Sequence, residues 1–124
     1  MHTVSAKELR ARLQEEDPNN EDRRSGFALI NVLRPEVFLS EHIPGSSNIP
    51  AGNEREFEKR FEHTKEIILY CSSAECPAST QVGEALGRMG FTNLKKFEGG
   101  MAQWVEGNND VESGENTAQE MSIA

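Results

Sequence analysis

Residues 67–80 read IILYCSSAECPAST, and this stretch restricts the fold more than any other. An apolar run, Ile67 to Tyr70, stops at a cysteine, and Pro77 follows where a helix can begin. A short apolar run without polar alternation reads as a strand covered on both faces, the kind that parallel sheets use. Proline suits the first helical position, because its missing N–H would have no intrahelical partner there. Residues 67–70 are therefore expected as a strand, residues 71–76 as a loop, and the chain from Pro77 as a helix.

The rest of the chain continues this alternation. Met1 to Val4 can form a lead-in strand, and Ser5-Ala-Lys-Glu8 is a capping box that opens a helix carrying Leu9 and Leu13. EEDPNNEDRRSG at 15–26 reads as a charged, turn-rich loop, and FALINV at 27–32 as a second buried strand. Pro35 opens a short helix, His42 to Gly45 make a turn, and SSNIP at 46–50 is an extended connection. Residues 54–65, with Phe57 and Phe61 one turn apart, predict a surface helix. In the helix from Pro77, the apolar stripe is Ala78, Val82, Ala85, Leu86 and Met89, with Gly90 as left-handed terminator and Phe91 as its apolar partner. Leu94 to Phe97 is a third strand, Gly99-Gly100 breaks it, and residues 101–105 close as a short helix. Strands alternating with helices predict an α/β fold, with a mainly parallel central sheet and helices on both faces.

Charge narrows the function. The formal net charge of the 124-residue chain is -8. Nucleic-acid binding needs a basic face to displace counterions from phosphates, so no nucleic-acid partner is expected, and no anionic membrane surface either. No apolar run reaches the length of a membrane span. The start, MHTVSAKELR, lacks a signal-peptide core, and we expect a cytoplasmic protein. From residue 108 the chain holds Asp110, Glu112, Glu115 and Glu120 and no Lys or Arg. The expected organisation is one domain over 1–107 and an acidic, flexible tail over 108–124.

The only two cysteines of the chain, Cys71 and Cys76, both lie in the loop after the second apolar strand. That is the carboxyl end of a strand, where open α/β sheets bind ligands. With Pro77 at the first helical position, Cys76 would be the N-cap, and the amides of Ala78, Ser79 and Thr80 would face the loop. A helix N-terminus attracts anions, and a thiolate is one, so the arrangement predicts a lowered pKa for Cys71. The bland alternatives are a small buried hydrophobe at Cys71 and a purely structural cap at Cys76. No metal is expected, because His42 and His63 are not spaced to join the cysteines. His42 reads as a turn-packing residue, and His2 and His63 as solvated surface. A phosphatase would need an arginine in the loop, and residues 67–87 hold no Lys or Arg. Trp104 reads as core, with Met101 and Trp104 as alternatives for the border of a pocket.

In order, LINV, EHIPGSSNIP, ILYC and GFTNLKKFEGGMAQW carry a further signal. With them the chain resembles the rhodanese family of single-domain sulfurtransferases, from about residue 3 to residue 107. The resemblance implies the rhodanese-like three-layer α/β fold. It also implies that Cys71 is the sulfur-carrying cysteine, which takes a sulfane sulfur from a donor, becomes a persulfide and passes the outer sulfur to a thiol or other nucleophile. Ser72, Ser73, Ala74, Glu75 and Cys76 would then shape the loop, with backbone amides around the sulfur, and no cofactor is implied.

Three departures stand out. Ala74 replaces the family's usual glycine, Asn31-Val32-Leu33 replaces Asp-Val-Arg, and Cys76 stands where the family usually has arginine. Without that cation, and with Glu75 beside it, thiosulfate is expected to be a poor substrate. Cys76 is expected as a resolving thiol that attacks the Cys71 persulfide and releases sulfide. The partners would then be a small-molecule or protein sulfur donor, a thiol acceptor, and thioredoxin or glutathione as reductant. Two alternatives stay open: a catalytically weak binding or regulatory module, and a Cys71–Cys76 dithiol/disulfide redox protein.

Overall fold

The structure is a computed structural model that describes residues 1–15 and 26–114. In chain order its elements are β1 (His2–Val4), α1 (Ala6–Glu15), β2 (Ala28–Asn31), α2 (Pro35–Ser40), β3 (Ser47–Asn48), α3 (Arg55–Arg60), β4 (Ile67–Tyr70), α4 (Ala78–Arg88), β5 (Leu94–Phe97) and α5 (Gly100–Glu106). The strands form one five-stranded sheet in the order β1-β5-β4-β2-β3, and every pairing is parallel.

The sheet is a middle layer because its strands are apolar on both sides. Leu29, Ile68, Tyr70 and Phe97 pack on one face with Leu9 of α1 and with Met101 and Trp104 of α5. Ile30, Ile67 and Leu69 pack on the other with Phe57 of α3 and with Val82 and Leu86 of α4. β4 is central, and all four of its side chains are buried. The expected α/β architecture, with helices on both faces of a parallel sheet, is what the chain adopts.

Local chemistry sets the ends of the elements. Ser5 and Glu8 form the reciprocal capping box, Glu8 N–H donating to Ser5 Oγ and Ser5 N–H to Glu8 Oε1, both at 3.1 Å. Gly90 adopts φ +104° after α4. Phe91 N–H then donates to Leu86 O at 3.0 Å and Gly90 N–H to Gly87 O at 3.1 Å, the paired bonds of a Schellman motif.

The structure differs from the sequence reading at several element boundaries. The connection at 46–50 contains a two-residue edge strand, Ser47–Asn48, paired with Ile30 and Asn31. The helix expected over 54–65 ends at Arg60, because Phe61 turns extended (φ -132°, ψ 145°). That turn lets His63 reach Phe91, ring edge to face at 4.7 Å, and its Nε2 reach Glu58 at 3.0 Å. Helix α4 begins one residue later than expected, and its N-cap is Pro77 rather than Cys76.

The segment assigned to the acidic tail is docked over its described part. His42 and Glu112 form an antiparallel bridge, each N–H donating to the other's carbonyl at 2.8 Å. Trp104 Nε1 donates to Asp110 O at 2.7 Å. Residues 115–124, like residues 16–25 of the charged loop, lie outside the described residues. Among the described residues, no helix is long and apolar enough to cross a membrane.

Candidate active site

Cys71 directly follows β4, at the carboxyl end of the central strand. Two backbone bonds from the start of α5 hold the loop after it: Met101 N–H donates to Cys71 O at 2.9 Å, and Ala102 N–H to Ser72 O at 2.8 Å. Gly100 makes this approach feasible. It has φ +63°, and a Cβ there would press on Cys71 O and lie 2.8 Å from Ser72 C and Ser73 N. The turn is closed from within, with Cys76 N–H donating to Ser73 O at 3.1 Å. Ser72, Ala74 and Glu75 are exposed on this loop, and Ser73 and Cys76 are half-buried.

The strand upstream is held as firmly. Tyr70 is fully buried, and its hydroxyl accepts from Ile43 N–H at 3.1 Å and meets Ser46 Oγ at 2.9 Å. Burial raises the pKa of this phenol. His42, 0% exposed, stacks on Phe38 with centroids 3.8 Å apart and bonds Phe38 O through Nδ1 at 2.9 Å. It packs the turn, as its sequence context indicated. Trp104 and Met101 lie in the core beneath the sheet.

The environment of Cys71 corrects one expectation. The residue is 1% exposed. Its sulfur lies 3.4 Å from Cys76 O and 3.9 Å from Ser73 O, which are acceptors and not donors. The Cys76 amide, expected near this sulfur, is used by Ser73 O instead. Burial therefore pushes the Cys71 thiol up, the neighbouring Cys76 side chain adds to the rise, and only the Ser79 hydroxyl and amide act against it. For Cys76, burial also acts upward, but it is outweighed by the Cys71 side chain, the amides of Ala78 and Ser72 and the Ser72 side chain, so its pKa is lowered. The first turn of α4 acts on both thiols, through the Ser79 amide at Cys71 and the Ala78 amide at Cys76, and only at Cys76 does the balance fall below the ordinary value. Both thiols are free.

From the sequence, the Ser79 hydroxyl reads, with those of Ser72 and Ser73, as a hydrogen-bond donor to a nearby thiolate or a helix cap. Ser79, on the first turn of α4, is 0% exposed and places Oγ 3.6 Å from the Cys71 sulfur. On the same turn of α4, Lys96 of β5 donates through Nζ to Thr80 Oγ1 at 2.7 Å. Nothing in the spacing of the chain connects those two residues.

Comparison with known proteins agrees with this fold. The family model described as rhodanese-like domain matches residues 5–107. The thiosulfate sulfurtransferase GlpE of Pseudomonas syringae pv. syringae is 27% identical over 85 residues, which is 66% of this chain and 76% of that protein. The uncharacterized protein YqhL of Bacillus subtilis is 29% identical over 87 residues, 68% of each chain. Among solved structures, a protein from Bacillus halodurans superposes with TM-score 0.77 at 24% identity, covering 99% of this chain and 90% of the other. A rhodanese-like domain from Anabaena sp. superposes with TM-score 0.77 at 21% identity, covering 91% of this chain and 80% of that one.

Proposed function

The chain belongs to the rhodanese-like domain family, and from that premise we propose that it is a sulfurtransferase that carries sulfane sulfur as a persulfide on Cys71 and resolves it through Cys76. The observation that carries this reading is the thiol pair itself. Two free cysteines share one short loop at the end of the central strand, with the Cys71 sulfur 3.4 Å from Cys76 O and 3.6 Å from Ser79 Oγ on the first turn of α4.

The two thiols divide the chemistry. The Cys71 sulfur attacks the outer sulfur of the donor while its proton passes to the Cys76 thiolate, or to water where that thiolate is absent. A Cys71 S–S bond forms, the donor's S–S bond breaks, and sulfite leaves with the electron pair when the donor is thiosulfate. The persulfide then has two exits. An external thiol can attack the outer sulfur and carry it away. Alternatively, the Cys76 sulfur attacks the inner sulfur, forming a Cys71–Cys76 disulfide and expelling hydrosulfide, which takes the Cys76 proton. In that exit two thiols are oxidised and one sulfane sulfur is reduced to sulfide. A dithiol or glutathione reductant then restores the pair, which suits a reducing compartment such as the cytoplasm. A small-molecule or protein polysulfide fits as donor better than thiosulfate, because residues 67–87 contain no Lys or Arg to hold a dianion.

Following sulfide after addition of a polysulfide and a reductant tests the resolving step. Wild type is expected to release sulfide over repeated turnovers, and Cys76→Ser at least about tenfold more slowly. Equal rates would remove Cys76 from the mechanism.

The burial of Cys71 favours a second reading, a rhodanese-like binding or regulatory module. A protein that takes up no sulfur on Cys71 while both thiols stay reduced is such a module.

A further inference from the structure

Ser79 is a buried hydroxyl in an apolar setting. It is 0% exposed on the first turn of α4, and the cluster around Cys71 consists of Ile30, Val32, Ile49, Phe57, Val82, Leu86 and similar side chains. A buried hydroxyl is costly unless it is hydrogen-bonded. The hydrogen-bond partner of Ser79 Oγ among the described residues is the Cys71 sulfur, at 3.6 Å. Alanine would fill this position with better helix propensity and no polar atom to satisfy.

We propose that the Ser79 hydroxyl is a catalytic hydrogen-bond donor to the Cys71 sulfur, holding the thiolate and the inner persulfide sulfur during transfer. This assignment rests on Cys71 being the sulfur carrier. In the resting thiol, Cys71 S–H can donate to Cys76 O at 3.4 Å. Once the proton leaves, that carbonyl and Ser73 O at 3.9 Å both turn lone pairs toward a negative sulfur. A donor must oppose them. The Ser79 hydroxyl rotates freely about its C–O bond and can point its proton at the sulfur, beside the Ser79 amide that acts in the same sense. Cys76 is the titratable group that bears directly on Cys71, and the remaining members of the buried cluster carry no charge. Glu75 is exposed on the loop.

The test uses the full chain carrying Cys76→Ser, so that Cys71 is the one thiol present. Its rate of alkylation by iodoacetamide is measured against pH in this parent, with Ser79→Ala added and with Ser79→Thr added. A hydrogen bond to a charged group predicts that Ser79→Ala moves the midpoint up by about one pH unit, with about tenfold slower alkylation at pH 7. Ser79→Thr, which keeps the hydroxyl, is expected to stay near the parent. Thermal midpoints are followed in parallel, because a purely structural role would change them and leave the pH profile in place. An unchanged alkylation midpoint in Ser79→Ala overturns the assignment. A parent that acquires no sulfur from polysulfide overturns the carrier reading instead, so the two failures are distinguishable.

Discussion

Gly100 shows how one residue can set a reactive loop from a distant part of the chain. Its left-handed φ of +63° lets α5 begin directly against the backbone of Cys71, Ser72 and Ser73. A side chain there meets backbone, which cannot rotate away. Gly100→Ala is therefore expected to cost about 2 kcal/mol or more in urea denaturation, from positive-φ strain together with displacement of the loop. An unchanged denaturation midpoint would show that the contact is not needed. The sequence exposed Gly99-Gly100 as a break before a helix, but not as the surface on which the cysteine loop rests. That contact depends on β5 lying beside β4, which no local pattern encodes. The same limit explains the Cys71 pKa. The helix start and its amides were legible, whereas the burial that reverses the direction at Cys71 is a tertiary fact.

At the level of elements, strand and helix periodicity was readable wherever the residues decide the matter alone. The capping box of α1, proline at the start of α2 and the Gly90 terminator of α4 needed no partner to be recognised. Element ends that depend on neighbours were less legible, as with Phe61, where the chain leaves α3 so that His63 can reach Phe91. Packing between elements also creates the ion cluster at the opposite end of β4. Glu66 bonds Arg12 of α1 at 2.6 and 2.9 Å and also pairs with Lys95 of β5. The Arg12 hydrogen bond, with Lys95 assisting, overcomes desolvation and lowers the Glu66 pKa from 4.5 to about 2. A carboxylate depressed in the folded state contributes stability in full above its unfolded pKa, and that contribution fades as pH falls from about 4.5 through about 2. Glu66→Gln is thus expected to lose about 2 kcal/mol at pH 7, and the difference from wild type should close toward pH 2. Denaturation curves across that range check this, and a gap independent of pH would contradict it.

Across the whole molecule, the two ends of the sheet divide the work. The amino end of β4 is anchored by charge through Glu66. The carboxyl end carries both thiols, the helix start of α4, and the backbone of α5 that fixes the loop. The overall architecture was legible because continuous apolar strands between helices leave few alternatives to a parallel sheet covered on both faces. The docking of 108–114 across His42 and Trp104 was not, since an acidic segment without periodicity reads as solvated. The central claim is that Cys71 carries sulfur, and it is tested most directly by the intact mass of Cys76→Ser after incubation with polysulfide and removal of excess donor. The account predicts one added sulfur atom, mapped by peptide analysis to Cys71, removed by a thiol reductant, and absent from the variant that also carries Cys71→Ser. An unchanged mass, with Cys71 still a free thiol, would contradict it.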